Sequence, residues 1–251
     1  MEITKEYVSY IQDQSSLDIP PFSYVVSIVI GYLIMIYMFE YHVLDRTRKP
    51  VRLINDNAVI LYNISVTVLS LVMFVCLSNS VMRVFFRDGI YGLICASTSD
   101  TLNLNIYFWC NIFHYSKYYE LTDTLILFLR GKYTSFLQIY HHTNIIFLTW
   151  LGLYYGHFFG WVLVFLNSGI HSVMYYYYTC ATLNKKVWWK KYLTQMQMVQ
   201  FVADGIISLP GGYFYTFGHD YCPGNIFVWL YGYTFGVSLI YLFLQYYKAS
   251  Y

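Results

Sequence analysis

Charged side chains are scarce in this chain. They make up 11% of its 251 residues, whereas 58% are hydrophobic. Soluble domains carry about 25% charged residues, so the composition argues against a soluble protein. No stretch between the apolar runs suits a soluble domain, because the longest, about 79–107, has fewer than about 30 residues. The chain is therefore expected to be a membrane protein.

Several common sequence signals are also missing. The five cysteines have no CxxC spacing, which gives no sign of a metal or redox motif. The first 21 residues lack a basic segment and a cleavage-type tail, so we expect no removable signal peptide. Cys95 and Cys222 are expected on the luminal side, where a disulfide is permitted. The remaining cysteines, Cys76, Cys110 and Cys180, are interpreted as small apolar fillers.

Seven apolar runs approach the roughly 20 residues that a membrane-spanning helix needs. We expect helices, because lipid cannot satisfy an open backbone edge. The sequence thus predicts an all-α, polytopic fold in one integral membrane domain over residues 1–251. The predicted spans are about 22–44, 58–78, 108–129, 134–155, 158–180, 191–210 and 225–247.

Basic residues are distributed unequally between the two sides of these spans. With a luminal N-terminus, eleven of the 15 Lys and Arg residues fall in cytoplasmic loops, three on the other side and Lys117 inside a span. Cytoplasmic loops are rich in Lys and Arg, so we expect this orientation and a cytoplasmic C-terminus. Lys248, near the C-terminus, is a hint of endoplasmic-reticulum retention.

Four spans carry polar side chains, although ionisable groups in hydrocarbon cost roughly 2.5–3.5 kcal/mol each. Helical spacing puts the members of each set on one face, and a rise of about 1.5 Å per residue places them at similar depths. We therefore expect one buried polar layer that opens towards the cytoplasm. Its candidates are Lys117, Glu120, Asp123 and Thr124; Gln138, His141, His142 and Asn144; Asn167, His171, Met174, Tyr175 and Tyr178; and Thr194, Gln197, Gln200 and Asp204.

Some of these residues also have structural interpretations. Intramembrane Asn and Gln often hold helices together, and the tyrosines after Met174 can be aromatic packing. Asp123 and Asp204 can pair with a lysine or a hydroxyl instead of taking part in catalysis. The adjacent imidazoles of His141 and His142, beside an amide and opposite a Lys/Glu helix, favour a functional interpretation.

Two kinds of chemistry suit the adjacent histidines. The stretch QIYHH, 138–142, resembles the HxxHH box of membrane di-iron enzymes, but too few of the seven histidines are expected at one level; a single-metal site stays open. Imidazole can instead accept an acyl group or move a proton. Amides and tyrosines can stabilise an oxyanion, basic loops can hold phosphates, and an apolar bundle can hold a hydrocarbon chain. Together these zones suit an acyl-CoA.

Four stretches, in order, resemble the ELO-type fatty acid elongases, the very-long-chain 3-ketoacyl-CoA synthases. The stretch KYYELTDT, followed by LRGK, is similar to the pattern KxxExxDT, and QIYHH is similar to the histidine box in its QxxHH form. The stretch NSGIHSVMYYYY is similar to NxxxHxxMYxYY, and TQMQMVQ is similar to TxxQxxQ. Together they cover roughly residues 117–201.

The resemblance implies seven helices, of which the second to seventh form a six-helix barrel, a 3+3 inverted repeat, around a narrow acyl tunnel. It implies condensation of a fatty acyl-CoA with malonyl-CoA to a 3-ketoacyl-CoA, CO₂ and CoA in the endoplasmic-reticulum membrane. No cofactor is expected beyond these CoA thioesters. The implied partners are the lipid bilayer, a second copy of the chain, and the ketoacyl-CoA reductase, hydroxyacyl-CoA dehydratase and enoyl-CoA reductase of the cycle. No nucleic acid is expected to bind.

The resemblance also implies roles for individual residues. His141 is the expected acyl-accepting nucleophile, His142 would orient it or act as a base, and His171 would join them. Gln138 replaces the first histidine of the box, as in members that elongate polyunsaturated chains. Charge and hydrogen bonds would be organised by Lys117, Glu120 and Asp123, and the thioesters or enolate held by Asn167, Tyr175, Gln197 and Gln200. Further supporting residues are Thr124, Asn144, Met174, Tyr178 and Thr194, with CoA phosphates at Arg130, Lys132, Lys185, Lys186, Lys190 and Lys191.

Two other classes of function remain as alternatives. A seven-helix lipid-binding receptor or transporter also tolerates buried Lys–Asp pairs, but this interpretation leaves the histidine pair without a role. A retinal protein needs a lysine in the last span, and 225–247 contains none. A metal-dependent lipid oxygenase or desaturase would contain bound iron.

Overall fold

The computed structural model describes residues 18–44, 52–94, 101–156, 160–217 and 224–251. These ranges form helices joined by short connections and contain no strand, which confirms the predicted all-α class. A π-helical turn, Phe39–Val43, follows the first helix directly. The α-helices are α1, Phe22–Met38; α2, Asp56–Ile94; α3, Thr101–Glu120; α4, Thr122–Leu129; α5, Phe136–Tyr154; α6, Gly160–Thr182; α7, Lys190–Phe217; and α8, Ile226–Ser250.

Three helical stretches among the described residues are long and apolar enough to cross a membrane. They are Phe22–Val43, which combines α1 with its π-helical turn, and the helices α2 and α8. The outer face of α2 shows large apolar side chains, such as Leu61, Val68 and Val75, of which Leu61 is 70% exposed. Such a surface suits lipid contact. These features are those of a multi-pass membrane protein.

Four of the seven predicted spans match helices to within about three residues at each end. They correspond to α1 with its π-helical turn, α5, α6 and α8. Long apolar runs between turn residues define these helices well. The sixth predicted span, 191–210, is longer in the structure, because α7 continues through Pro210 to Phe217.

The stretch 79–107, which lies between the second and third predicted spans, is helical over most of its described part. The helix α2 continues to its end at residue 94, and α3 begins at residue 101. The extension is amphipathic: Val84 is buried, whereas the exposed Arg83 donates from Nε to Asn79 Oδ1 at 3.1 Å.

Two breaks change the course of the predicted spans. Gly89, inside α2, has φ 68° and ψ −160°, a conformation that glycine adopts without the steric cost of a Cβ. The third predicted span, 108–129, is divided at Leu121 into α3 and α4. This division separates Glu120 and Asp123 onto different helices.

Pairwise packing joins six of the helices in a closed order. Helix α2 contacts α3, α3 contacts α5, α5 contacts α8, α8 contacts α7, α7 contacts α6, and α6 returns to α2. Helix α6 also contacts α3, and α1 packs against α5. The helices that carry the predicted polar faces are therefore neighbours.

Some predictions concern residues outside the described ranges. Cys95 and Cys222, the predicted disulfide candidates, both lie there, as does most of the first basic loop. Cys76, Cys110 and Cys180 are free thiols, of which Cys180 is buried and the other two are half-buried.

A close approach of α7 to α8 depends on Gly212. A Cβ at this position would lie 2.6 Å from Cζ2 of Trp229, well inside ordinary van der Waals contact. The indole cannot easily move away, because its Nε1 donates to the backbone oxygen of Ser208 at 2.9 Å.

We expect Gly212→Ala to lower the thermal unfolding midpoint of the purified protein in detergent. Overpacking of this kind costs about 1–3 kcal/mol, and a chain of this size loses about 2–4 °C per kcal/mol. Gly31→Ala is the matched control, since nothing lies within 4 Å of a Cβ there. Equal midpoints for both variants would contradict the described α7–α8 contact.

Candidate active site

Lys117 and Glu120 form a buried ion pair at the end of α3. Their spacing of three residues puts them on one helix face, and Lys117 Nζ lies 2.7 Å from Glu120 Oε1, with both side chains 1% exposed. The same ammonium donates to Asn167 Oδ1 of α6 at 3.0 Å and lies 4.0 Å from the ring centroid of Phe113. Because an uncompensated buried charge is costly, this pair fixes α3 against α6.

His171 lies one helical turn after Asn167 and faces the same carboxylate. Its Nδ1 is 3.5 Å from Glu120 Oε1, longer than a normal hydrogen bond. Within the described chain, neither this nitrogen nor Glu120 Oε2 has a hydrogen-bond partner, and both are buried. Both the His171 imidazole and the Glu120 carboxylate therefore have an atom that is available for a hydrogen bond, either with each other after a small movement or with a bound group. We call Lys117, Glu120, Asn167 and His171 the polar cluster.

A second contact joins α4 to α6 beside the polar cluster. The Tyr175 hydroxyl donates to Asp123 Oδ2. Tyr175 is one turn after His171 on α6, with ring centroids 5.7 Å apart, and is 1% exposed. Asp123 therefore belongs to the wall of the site, but it forms no ion pair with Lys117 among the described contacts.

The two adjacent histidines of α5 face different neighbours. Their ring centroids are 5.6 Å apart. His142 is 5% exposed and lies against the Tyr32 ring of α1, whereas the His141 ring stacks beside Phe235 of α8 with centroids 6.2 Å apart. Both Nδ1 atoms are buried and have no hydrogen-bond partner within the described ranges. Each imidazole therefore retains an uncommitted ring nitrogen.

Helix α1 reaches the histidines through Tyr32. The Tyr32 hydroxyl lies 2.9 Å from Thr124 Oγ1, and Gln138 Nε2 donates to the same oxygen at 2.9 Å. Because the Tyr32 ring also touches His142, this three-residue link fixes α1, α4 and α5 around that imidazole. Gln138 thus contributes a structural hydrogen bond at the first position of the histidine box.

An apolar cavity of about 330 Å³ lies beside His141. This volume is within the range of about 300–1,000 Å³ that is common for ligand sites. His141 and Asn167 line it, and from them it extends along α5 and α6 away from the basic connections that precede α5 and follow α6. Its other walls come from α3, α7 and α8, and include Ile106, Phe201, Val228 and Phe235.

Three predicted site residues lie apart from the polar cluster. Asn144 donates to the Tyr140 backbone oxygen and accepts from the Tyr231 hydroxyl at 2.8 Å, which fastens α5 to α8. Tyr178 is 40% exposed, and its ring centroid lies 5.6 Å from that of Tyr175. Thr194 is buried, but its hydroxyl points to a backbone oxygen of its own helix. None of the three hydrogen bonds to the polar cluster among the described contacts, and their roles as supporting residues stay predictions.

The polar face of α7 meets α6 and the cavity. Gln197 Nε2 donates to Met174 Sδ at 3.4 Å, and Gln200 Nε2 donates to Asp204 Oδ2 at 3.4 Å. Gln200 is 3% exposed. Neither glutamine hydrogen bonds to the polar cluster in the described part of the chain, so α7 borders the site without being fastened to that cluster.

The predicted phosphate-binding residues differ in their availability. The Arg130 guanidinium pairs with Asp56, so its charge is largely neutralised. The exposed lysines lie in the connections before α5 and after α6 or at the start of α7, on the side away from the cavity. Two of them approach aromatic rings: Lys190 Nζ is 5.7 Å from the Tyr251 centroid, and Lys191 Nζ is 5.7 Å from the Tyr247 centroid. The exposed set is Lys132, Lys185, Lys186, Lys190 and Lys191.

The structure adds residues that the sequence did not reveal. Tyr32, Phe113 and Phe235 touch site residues, but each belongs to a type so abundant here, with 30 tyrosines and 19 phenylalanines, that no pattern marks it. His114 Nδ1 lies 2.8 Å from Thr149 Oγ1, and its Nε2 lies 2.7 Å from the Tyr118 hydroxyl. Both its nitrogens are occupied, which indicates a structural role.

Over the residues that the structure describes, no three or more His, Cys, Asp or Glu side chains are grouped to hold a metal ion.

Comparison with known proteins gives the family. The profile of ELO, the GNS1/SUR4 family, matches residues 20–251. The chain belongs to the ELO family of fatty acid elongases, and the resemblance is confirmed. Its relatives include fatty acid elongase sre1 of Dictyostelium discoideum, 31% identical over 233 residues, which are 92% of this chain and 85% of that protein.

Other relatives of this ELO-family chain have similar coverage. Fatty acid elongase A of Dictyostelium discoideum is 30% identical over 93% of this chain and 86% of its own length. Very long chain fatty acid elongase 5 of Tachysurus fulvidraco is 31% identical over 90% of this chain and 74% of its own length. The family match over residues 20–251 spans the candidate site.

We expect Lys117→Met to destabilise the protein strongly, because Glu120 would lose its counter-charge. Removing one partner of a buried pair costs about 3–5 kcal/mol. The double variant Lys117→Met/Glu120→Gln should recover most of this loss, since no lone charge remains. Thermal unfolding of both in detergent measures the effect.

Lys132→Met is the matched control for the loss of a lysine, because Lys132 is exposed, and its midpoint should stay near that of the wild type. A double variant that is less stable than Lys117→Met alone would show that the two charges do not compensate each other.

Proposed function

We propose that this ELO-family protein condenses a fatty acyl-CoA with malonyl-CoA to give a 3-ketoacyl-CoA two carbons longer. One observation carries the proposal: His141 has an uncommitted ring nitrogen and lines an apolar cavity that also borders the polar cluster. An acyl chain fits the apolar part, and the thioester carbonyl then lies near the imidazole. Relatives named as fatty acid elongases support a role in fatty acid elongation.

In the proposed first step, a nitrogen of the His141 imidazole attacks the thioester carbonyl of acyl-CoA. The carbon–sulfur bond breaks, and the proton of the imidazole N–H leaves with the thiolate as CoA thiol. The product is an acyl-imidazole. Histidine is suited to this role, because its neutral form is a nucleophile near neutral pH.

In the second step, malonyl-CoA loses CO₂ and its α-carbon attacks the acyl carbonyl. The carbon–nitrogen bond breaks, the 3-ketoacyl-CoA leaves, and the imidazole regains one proton from solvent. Negative charge develops on the thioester oxygen of the enolate, where fixed donors lower the barrier most. The ammonium of Lys117 supplies positive charge in this region, and Asn167 lines the cavity next to it.

The neighbouring residues would orient these groups. His142, held between Tyr32 and His141, would position its neighbour or act as a base. His171 would share the Glu120 carboxylate with Lys117. Tyr175 and Gln200 lie at the border of the site and would help to hold the thioesters, as would Gln197.

The proposal includes the wider architecture. We propose a single domain with seven membrane spans, six of which form a barrel, with α1 outside it. The closed packing order of α2, α3, α5, α8, α7 and α6 supports this arrangement. We propose an endoplasmic-reticulum location with a luminal N-terminus and a cytoplasmic C-terminus. The CoA moieties would bind near the exposed lysines on the cytoplasmic side. A second copy of the chain and the reductases and dehydratase of the elongation cycle would be its partners.

We expect the purified wild-type protein to convert acyl-CoA and radiolabelled malonyl-CoA to a 3-ketoacyl-CoA without added metal or nucleotide. His141→Ala should lower the rate at least about 100-fold, since general-acid, general-base or nucleophilic groups contribute about 10²-fold or more. His42→Ala, at an exposed position, is the matched control and should retain full activity. No product with any chain length, or a product only after iron is supplied, would refute the proposed reaction.

We also expect acyl-CoA alone to release CoA and leave one acyl group on the protein. Intact-mass and peptide mass spectrometry should locate the adduct on His141 and find none in His141→Ala. If CoA appeared only after malonyl-CoA was added, the acyl-imidazole step would be wrong, although the condensation could still occur by direct attack.

A further inference from the structure

One charged side chain interrupts the apolar wall of the cavity. Among the described lining residues, Asp204 of α7 is the only Asp, Glu, Lys or Arg. It lies one helical turn beyond Gln200, so the carboxyl group is about 6 Å further along α7. A carboxyl group in such surroundings is unfavourable unless a partner compensates for the lost hydration.

The protein provides little compensation for Asp204. Its Oδ2 accepts a long hydrogen bond of 3.4 Å from Gln200, and its Oδ1 is buried with no partner in the described ranges. Four hydroxyl groups line the same cavity. Those of Tyr107, Thr149 and Ser208 donate to backbone oxygens, and that of Tyr233 forms no hydrogen bond to Asp204 among the described contacts. A bound molecule can supply the missing hydrogen bond.

The chemistry of the site limits what that molecule can carry. A hydrocarbon chain without substituents offers no donor and would leave Oδ1 unpaired. A hydroxyl group is small and has one donor and two acceptor lone pairs. It can donate to a carboxylate or accept from a protonated carboxyl, so it suits Asp204 in either state.

We propose that the cavity selects acyl chains that carry a hydroxyl group, and that Asp204 hydrogen bonds to it. This inference rests on the proposed elongase function and names the class of substrate for that reaction. Asp204 is then a specificity-determining residue rather than a catalytic one, because it lies along the acyl chain and away from the reacting carbonyl. A site built to bind a hydroxyl discriminates against the analogue that lacks it, since its own polar group is left unpaired.

The test is a competition between two acyl-CoAs of equal length in one reaction, one plain and one hydroxylated. The hydroxyl is moved along the middle of the chain in a series of substrates. The ratio of kcat/KM values comes from product ratios, so it does not depend on the folded fraction of the sample. We expect the wild type to favour the hydroxylated chain by about 10-fold or more at one hydroxyl position.

Two variants at the same position separate hydrogen bonding from charge. Asp204→Asn and Asp204→Leu both remove the charge, but only asparagine can still bond to a hydroxyl. The preference for hydroxylated chains should persist in Asp204→Asn and disappear in Asp204→Leu. In Asp204→Leu, the ratio of kcat/KM for plain chains to that for hydroxylated chains should be higher than in the wild type. If Asp204 only positioned Gln200, both substrates would slow equally and the ratio would stay constant, which would overturn the inference.

The outcome for the wild type alone is also decisive. Elongation of plain chains with no preference at any hydroxyl position would refute the role of Asp204 while leaving the proposed function intact. A wild type that elongates neither class of chain would instead refute the proposed function. If Asp204→Leu does not fold, the scan of hydroxyl positions with the wild type still decides.

Discussion

The ion pair of Lys117 and Glu120 is the interaction on which the geometry of the candidate site depends. Neither charge is stable alone at 1% exposure inside a helix bundle. Each charge therefore has to be held close to the other. The Lys117 ammonium also donates to Asn167 of α6, and the Glu120 carboxylate faces His171 of the same helix. A pair within one helix thus sets the distance and rotation of a second helix.

This constraint explains how a polar region and an apolar region can adjoin. Lys117 bonds to Glu120 and Asn167 within the polar cluster, and the cavity wall beyond Asn167 is mostly hydrocarbon, with the carboxyl group of Asp204 as an exception. His141 lies at the boundary, stacked beside Phe235. An imidazole in this place can act on a polar head group while the attached chain stays among apolar side chains. The proposed reaction needs this combination.

Tyr32 connects α1 to the candidate site. That helix packs against α5, outside the closed order of the other helices. The Tyr32 hydroxyl nevertheless lies within hydrogen-bonding distance of Thr124 Oγ1, and the Tyr32 ring contacts His142. A helix whose sequence looks like a simple anchor thereby helps to orient the histidine box, which gives it a structural part in the site.

The sequence predicted much of this arrangement, for identifiable reasons. Long apolar runs gave the helices, and helical periodicity put Lys117, Glu120, Asn167 and His171 on inward faces, because few other arrangements tolerate such groups in a membrane. Periodicity does not tell which neighbour a face meets, so the sequence did not predict that Asn144 bonds to Tyr231 of α8 and not to the polar cluster. The cavity depends on tertiary packing, and no single segment encodes it.

The most direct test of this account is a cryo-electron microscopy map of the protein in lipid nanodiscs after incubation with acyl-CoA alone. The account predicts chain density that begins at the His141 imidazole and continues between α5, α7 and α8 through the apolar cavity. Density for the chain on a lipid-facing surface, or a closed wall of side chains between His141 and the cavity, would contradict it.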